Sequence, residues 1–273
     1  MSDPHLDDDL VEVYLSESWE HLANMEAYLL AMEQGGADID EQLVNRVFRA
    51  AHSIKGGAGF FDLGKIRELA HKIENTLDLI RSRQMVPTPE VVSVLLLGFG
   101  KLRELIQHHR GSSQADIHEL VTALEGQTAA HLPSDEKHLV AQRVAVALPE
   151  TSKHVEISAF DLSRARRSGQ CIYLIRYDLI HDIQRRGKTP WEVFKSLMQS
   201  GTILETVPDL ESAGTLDKAP SNQFLLEVLY ATALAPDRIG QLVDVPPERV
   251  LLVLRACPPP GLTPRSAESD RSW

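Results

Sequence analysis

The chain has 273 residues, enough for two domains of ordinary size, each with its own core. A hydrophobic content of 43% with 25% charged residues excludes a disordered polyelectrolyte, and a formal net charge of -11 makes nucleic acid or an anionic membrane a poor main partner. Two cysteines, Cys171 and Cys257, suggest neither a disulfide framework nor a CxxC metal site.

The N-terminus is acidic (Asp7-Asp8-Asp9) where a secretory signal would be basic and then apolar. The longest apolar run, Val91 to Gly100, is too short to span a bilayer, so a cytoplasmic protein is expected. The first predicted helix runs from near Leu6 to Gln34, with Leu15, Leu22 and Leu29 among Ser18, Met25 and Met32 on one stripe, and Gly35-Gly36 ends it. A second starts at Asp38 or Asp40 as N-cap and turns Val44, Val47, Phe48, Ala51, Ile54 and Ala58 inward. The third covers about Leu63 to Arg83, with Ile66, Leu69, Ala70, Ile73, Leu77 and Ile80 as its stripe. Thr88-Pro89-Glu90 opens a fourth, to about His109, and a fifth covers about Ala115 to Ala130. Short connections make antiparallel neighbours, hence an all-α up-down bundle of about five helices.

From His131 to Ile157 no long periodicity is evident, and Pro133 and Pro149 punctuate what reads as a linker. Then the period changes. Cys171 to Tyr177 alternates as a strand, Ile172, Leu174 and Arg176 on one side and Tyr173, Ile175 and Tyr177 on the other. Thr189-Pro190-Trp191-Glu192 has capping-box spacing and starts a helix, with Trp191 and Phe194 read as core residues. Strands at Thr202–Val207 and Phe224–Thr232, a short helix at Pro236–Val243 and a strand at Val250–Leu254 complete a split βαβ order, a smaller α+β ferredoxin-like domain. The expected division is a bundle over 1–131, a linker over 132–157, the α+β domain over 158–257 and a disordered tail over 258–273.

The informative segment is Ala51-His52-Ser53-Ile54-Lys55-Gly56-Gly57-Ala58-Gly59-Phe60. On a helix, His52, Lys55, Gly56 and Gly59 share one face, opposite the inward Ala51, Ile54 and Ala58, so His52 is expected to be exposed. Three glycines sacrifice helix stability at about 1 kcal/mol each. They leave room for an approaching group, mark the helix end, or let a neighbouring helix pack closely. An imidazole attacks phosphorus through one ring nitrogen when the other keeps its proton and is held by an acid. The next helix supplies His71-Lys72-Ile73-Glu74-Asn75, and an antiparallel hairpin brings Glu74 towards His52. A nearby ammonium, as from Lys55, offsets charge on a transferring phosphoryl group.

The stretch from Phe48 to Arg81, with His-Ser-Ile-Lys-Gly-Gly-Ala-Gly followed by His-x-x-Glu-Asn-x-x-Asp, closely resembles the histidine phosphotransfer domain at the N-terminus of CheA-type chemotaxis histidine kinases. The resemblance implies that His52 carries a phosphoryl group, that Lys55 assists its transfer, and that Glu74 bonds the His52 ring with His71 in the same polar network. It implies that Gly56, with Gly59 on the same face, leaves space for the phosphate and an incoming response regulator. The α+β region resembles, less specifically, the response-regulator-docking domain of some of these kinases. Arg185-Arg186-Gly187-Lys188 either faces an acidic partner or is a solvated loop.

The family's ATP-binding block and dimerisation helices find no counterpart here, nor does a Walker lysine motif. A separate histidine kinase or a phosphorylated response regulator is therefore the expected phosphoryl donor, and a receiver domain the expected partner. No cofactor is expected, and no metal: His108-His109 point to different sides of a helix and lack companion ligands. The alternatives are a non-catalytic scaffold that binds receiver domains, or the N-terminal fragment of a full CheA-type kinase.

Overall fold

In the computed structural model, residues 4–151, 153–183, 187, 189–209 and 223–255 are described, without the side chains of 4–10, 190 and 209. The helical part consists of α1 (Pro4–Leu22), α2 (Met25–Gly35), α3 (Glu41–Phe60), α4 (Gly64–Arg81), α5 (Pro89–Gln107) and α6 (His118–Ala130). The single long first helix expected from the sequence is two. The chain breaks at Ala23-Asn24, where Arg103 of α5 donates to the freed carbonyl of Leu22 at 3.0 Å. That hydrogen bond satisfies a group that helix continuation would otherwise have paired. Leu22 and Met25 both stay buried, so the break re-phases the apolar stripe rather than exposing it.

The other helix starts follow local chemistry. Asp40 caps α3 by accepting from the Gln42 N–H at 2.8 Å, and Thr88 with Pro89 opens α5. α3 and α4 are joined by a tight turn with Asp62 at φ 54°, so the two run antiparallel as neighbours.

The segment expected as a linker is ordered. Its strands β1 (Arg143–Ala147) and β2 (His154–Ser158) form an antiparallel hairpin, and Ser158 caps a helix unread in the sequence, α7 (Ala159–Arg167). Beyond it come β3 (Cys171–Asp178), α8 (Pro190–Ser200), β4 (Thr202–Asp209), β5 (Leu225–Thr232), α9 (Pro236–Val243) and β6 (Val250–Leu254). Their sheet has the order β4-β5-β3-β6 with antiparallel neighbours, the ferredoxin-like arrangement. Thr189 and Glu192 make the reciprocal capping box at the start of α8. The tail over 258–273 lies outside the described residues, as do Arg185, Arg186 and Lys188.

The sheet is buried on both faces. Tyr173, Ile175 and Tyr177 of β3 face a core shared with α8, α9 and the helical bundle. Ile172 and Leu174 face a second cluster roofed by Val146, Val155 and Ile157 of the hairpin and Ala165 of α7. The shared core runs without a break from bundle to α+β region. Tyr14 of α1 meets Trp191 of α8 edge-on, ring centroids 5.6 Å apart, and Phe60 of α3 meets Phe194 at 4.9 Å. Trp191 and Phe194 are core residues, and the core they belong to joins the two parts.

Candidate functional site

Helical periodicity sets the site. Ala51, Ile54 and Ala58 are fully buried in the bundle, which turns His52, Lys55, Gly56 and Gly59 to the opposite side of α3. On α4, Ile73 and Leu77 point into the core and Glu74 lies beside them, 0% exposed. The hairpin brings His52 Nδ1 within 3.0 Å of Glu74 Oε1 and Lys55 Nζ within 2.8 Å of Glu74 Oε2. One carboxylate thus holds both the imidazole and the ammonium. The Phe48 ring, one turn earlier on α3, stacks on the imidazole at 5.9 Å, and the Arg81 guanidinium lies 3.8 Å from the Phe48 ring centroid.

Burial pushes the Glu74 carboxyl up, but Lys55, His52 and Arg164 outweigh it and hold it well below the usual carboxylate range. An ionised Glu74 accepts a hydrogen bond and cannot donate one. The neutral ring must therefore carry its proton on Nδ1, which leaves the lone pair on Nε2. His52 Nε2 is buried and has no hydrogen-bond partner among the described residues.

His52 is 6% exposed and Lys55 7%, against the expectation of an outward imidazole. The reason lies outside the bundle: the α+β region packs onto this face. Arg164 of α7 lies 3.8 Å from Glu74 and 3.2 Å from Asp78, and Asp78 also pairs with Arg81 at 2.5 Å. Asp161 of α7 takes His71 Nε2 at 2.6 Å. His71 therefore makes its close contact with α7, while Glu74 is occupied by His52 and Lys55. Burial pushes the Asp161 carboxyl up, yet His71 and Arg164 hold it well below its ordinary value. Burial likewise disfavours the Arg164 cation, and Asp161, Asp78 and Glu74 more than offset that.

The glycine strip is also covered. A Cβ on Gly56 would collide with Sδ of Met198 on α8, and one on Gly57 would run into the Tyr14 ring and lie 2.9 Å from Trp191. Thr206 of β4 donates to the Gly59 carbonyl at 3.2 Å. The glycines let neighbouring side chains approach α3 closely. Sequence reasoning missed Phe48 as a ring partner, and it missed Arg164, Asp161 and Glu205 altogether. The Ser158-x-x-Asp161 spacing is a cap signal that would have found α7, but nothing in the sequence says that α7 reaches α4.

The bundle thus holds an imidazole against an ionised acid, with Nε2 of the ring buried and without a partner among the described residues. Residues 9–126 match the Hpt domain family. The chain is 36% identical over 147 residues to chemotaxis protein CheA of Rhizobium meliloti, covering 53% of this chain and 18% of that protein. To CheA of Bacillus subtilis it is 27% identical over 236 residues, 86% of this chain and 34% of the relative. The chain thus spans about a third or less of the length of these relatives. A crystal structure of the phosphorylated P1 domain of CheA3 in complex with CheY6 from R. sphaeroides overlays with a TM-score of 0.40 at 27% identity. That overlay covers 46% of this chain and 99% of the other.

Proposed function

We propose that this protein is a phosphoryl carrier of a chemotaxis-type two-component relay, accepting the group on His52 and exchanging it with an aspartate of a response-regulator receiver domain. The observation that carries the reading is the Nδ1–Glu74 hydrogen bond, which fixes the tautomer that leaves Nε2 nucleophilic. Nε2 attacks phosphorus and the N–P bond forms. The donor's P–O bond breaks, its electron pair leaving on the aspartyl carboxylate of a phosphorylated receiver. The Nδ1 proton stays on the ring, and Glu74 neutralises the resulting imidazolium. Transfer to a receiver is the same step reversed.

Lys55, one turn along α3 and anchored by Glu74, supplies positive charge to the phosphoryl oxygens. His71 acts at the edge of the same face, and Gly56 and Gly59 add no side chains of their own to it. A separate histidine kinase is the other donor, and the cytoplasm is the compartment. No helix among the described residues is long and apolar enough to cross a membrane. The α+β region, taken as residues 158–257, is proposed to contact receivers. A scaffold that only held receivers would gain nothing from a buried acid–imidazole pair.

Incubation of the full chain with a radiolabelled phosphorylated receiver tests the proposal. Label appears on the wild-type chain and not on His52→Gln; a stable complex without transfer would establish a scaffold instead.

A further inference from the structure

The face of α3 and α4 that carries His52 is the surface a phosphoryl donor must reach, and in this structure the chain's own α+β region occupies it. Met198 of α8 lies against Gly56, and Thr206 of β4 bonds to Gly59. Glu205 of β4 pairs with Arg67 of α4, and Asp161 of α7 pairs with His71 at 2.6 Å. Arg164 spans Glu74 and Asp78. Beside Lys55, the cavity left between the two parts is about 30 Å³. That is room for a water or two, not for a phosphoryl group delivered by a protein.

The chemistry of the covering groups is specific. The basic and hydrogen-bonding groups on the bundle face are Arg67 and His71, flanking Lys55. Each of the first two is met by a carboxylate from the other part, Glu205 and Asp161. An acidic receiver site would seek these same groups. We infer that α7, α8 and β4 form an autoinhibitory cap on His52, whose Asp161 and Glu205 stand in for an acidic receiver, so that cap and receiver compete for one face.

His52 Nε2 is buried in the capped arrangement, with no space for a phosphoryl group, so the phosphorylated chain favours the uncapped arrangement. A ligand that binds only the open state sees its apparent affinity reduced by the fraction open, and a change that opens the cap restores it. The inference rests on the carrier reading for its biological sense, but the occlusion itself is testable apart from it.

The experiment uses the full chain as wild type, as Asp161→Arg with Glu205→Arg, and as Met198→Asp. The first pair turns both capping carboxylates against the cations they meet; the second places a charge on the Gly56 strip from the partly exposed side of α8. Two quantities are read on each protein that retains a cooperative unfolding transition. One is the rate of carbethoxylation of His52 by diethyl pyrocarbonate, by peptide mass spectrometry, relative to exposed His108. The other is the rate of phosphoryl uptake from the small donor phosphoramidate and from a phosphorylated receiver.

The cap requires wild-type His52 to react at least tenfold more slowly than His108, and both variants to close most of that gap. Where the receiver labels His52 at all, the cap also requires that uptake to rise at least tenfold in the variants. A wild-type His52 that reacts as fast as His108 overturns the cap, as do variants that leave both rates unchanged. Should the variants expose His52 to the reagent while neither donor ever labels it, the cap stands and the carrier reading falls.

Discussion

The α3–α4 hairpin and the segment from Arg143 to Arg167 both contribute to the site around His52, but they arrive there differently. The hairpin is a local structure whose apolar stripes bury themselves, and it delivers His52, Lys55 and Glu74 from positions within one short stretch of chain. The later segment reaches the same place through polar contacts across long separations, Asp161 to His71 over 90 positions and Thr206 to Gly59 over 147 for the neighbouring strand. The chemistry of the site is written locally, whereas access to it is set by residues far along the chain.

The sharpest way to break this comparison is at its local end. His52→Gln abolishes phosphoryl uptake, by at least a thousandfold in the label-transfer assay, while the unfolding midpoint stays close to wild type. Glu74→Gln comes next. It removes the group that fixes the ring and leaves Lys55 buried without its anion, while Arg164 keeps Asp78 and Asp161. Uptake falls about a hundredfold or more, as for loss of a positioned acid or base, and chemical denaturation shows a loss of about 3–5 kcal/mol.

Packing around the glycines gives the next effect. Gly57→Ala pushes a methyl into the Tyr14 ring and costs about 1–3 kcal/mol by thermal denaturation. Gly64→Ala at the start of α4, where a Cβ meets nothing within 4 Å, is neutral or slightly stabilising. Equal effects at the two positions would show that α1 and α8 do not press on α3 as described.

The buried acids give a pH signature. Glu74 and Asp161 have folded-state values lowered below their unfolded ones, so their contribution is fully present above the unfolded range, about pH 4. It is lost as the pH falls from there through the folded values. Stability from these groups is therefore level from neutral pH down to about pH 5 and drops steeply below about pH 4, measured as the denaturant midpoint against pH. The smallest effect belongs to the far edge of the later segment. Arg143→Ala breaks an exposed 3.5 Å pair with Glu156, a hydrogen bond to the Glu156 carbonyl and a 3.6 Å contact with Glu205, and with half of the arginine exposed it shifts stability by about 1 kcal/mol.

The bundle was legible because its signals are local. Asp40, Thr88-Pro89 and Thr189–Glu192 announce their helices by cap chemistry, and the spacing of His52, Lys55 and Glu74 puts them on facing sides of one hairpin. The hairpin at 143–158 was not, because each strand is five residues long, with its apolar positions diluted among charged ones around Pro149. The break between α1 and α2 carries no proline or glycine, and the hydrogen bond that satisfies it comes from Arg103, eighty-one positions on. The outward imidazole inferred from helical phase became a buried one for a similar reason. Phase decides which way His52 leaves the helix, but only tertiary packing decides what waits there.

The position of the phosphoryl group on the imidazole speaks most directly to the claim that Glu74 holds one nitrogen and frees the other. Phosphorus NMR of the full chain after reaction with a phosphorylated receiver distinguishes the two isomers. The expected product is phosphohistidine at Nε2 of His52; phosphate at Nδ1, or on no histidine with any competent donor, would contradict the account.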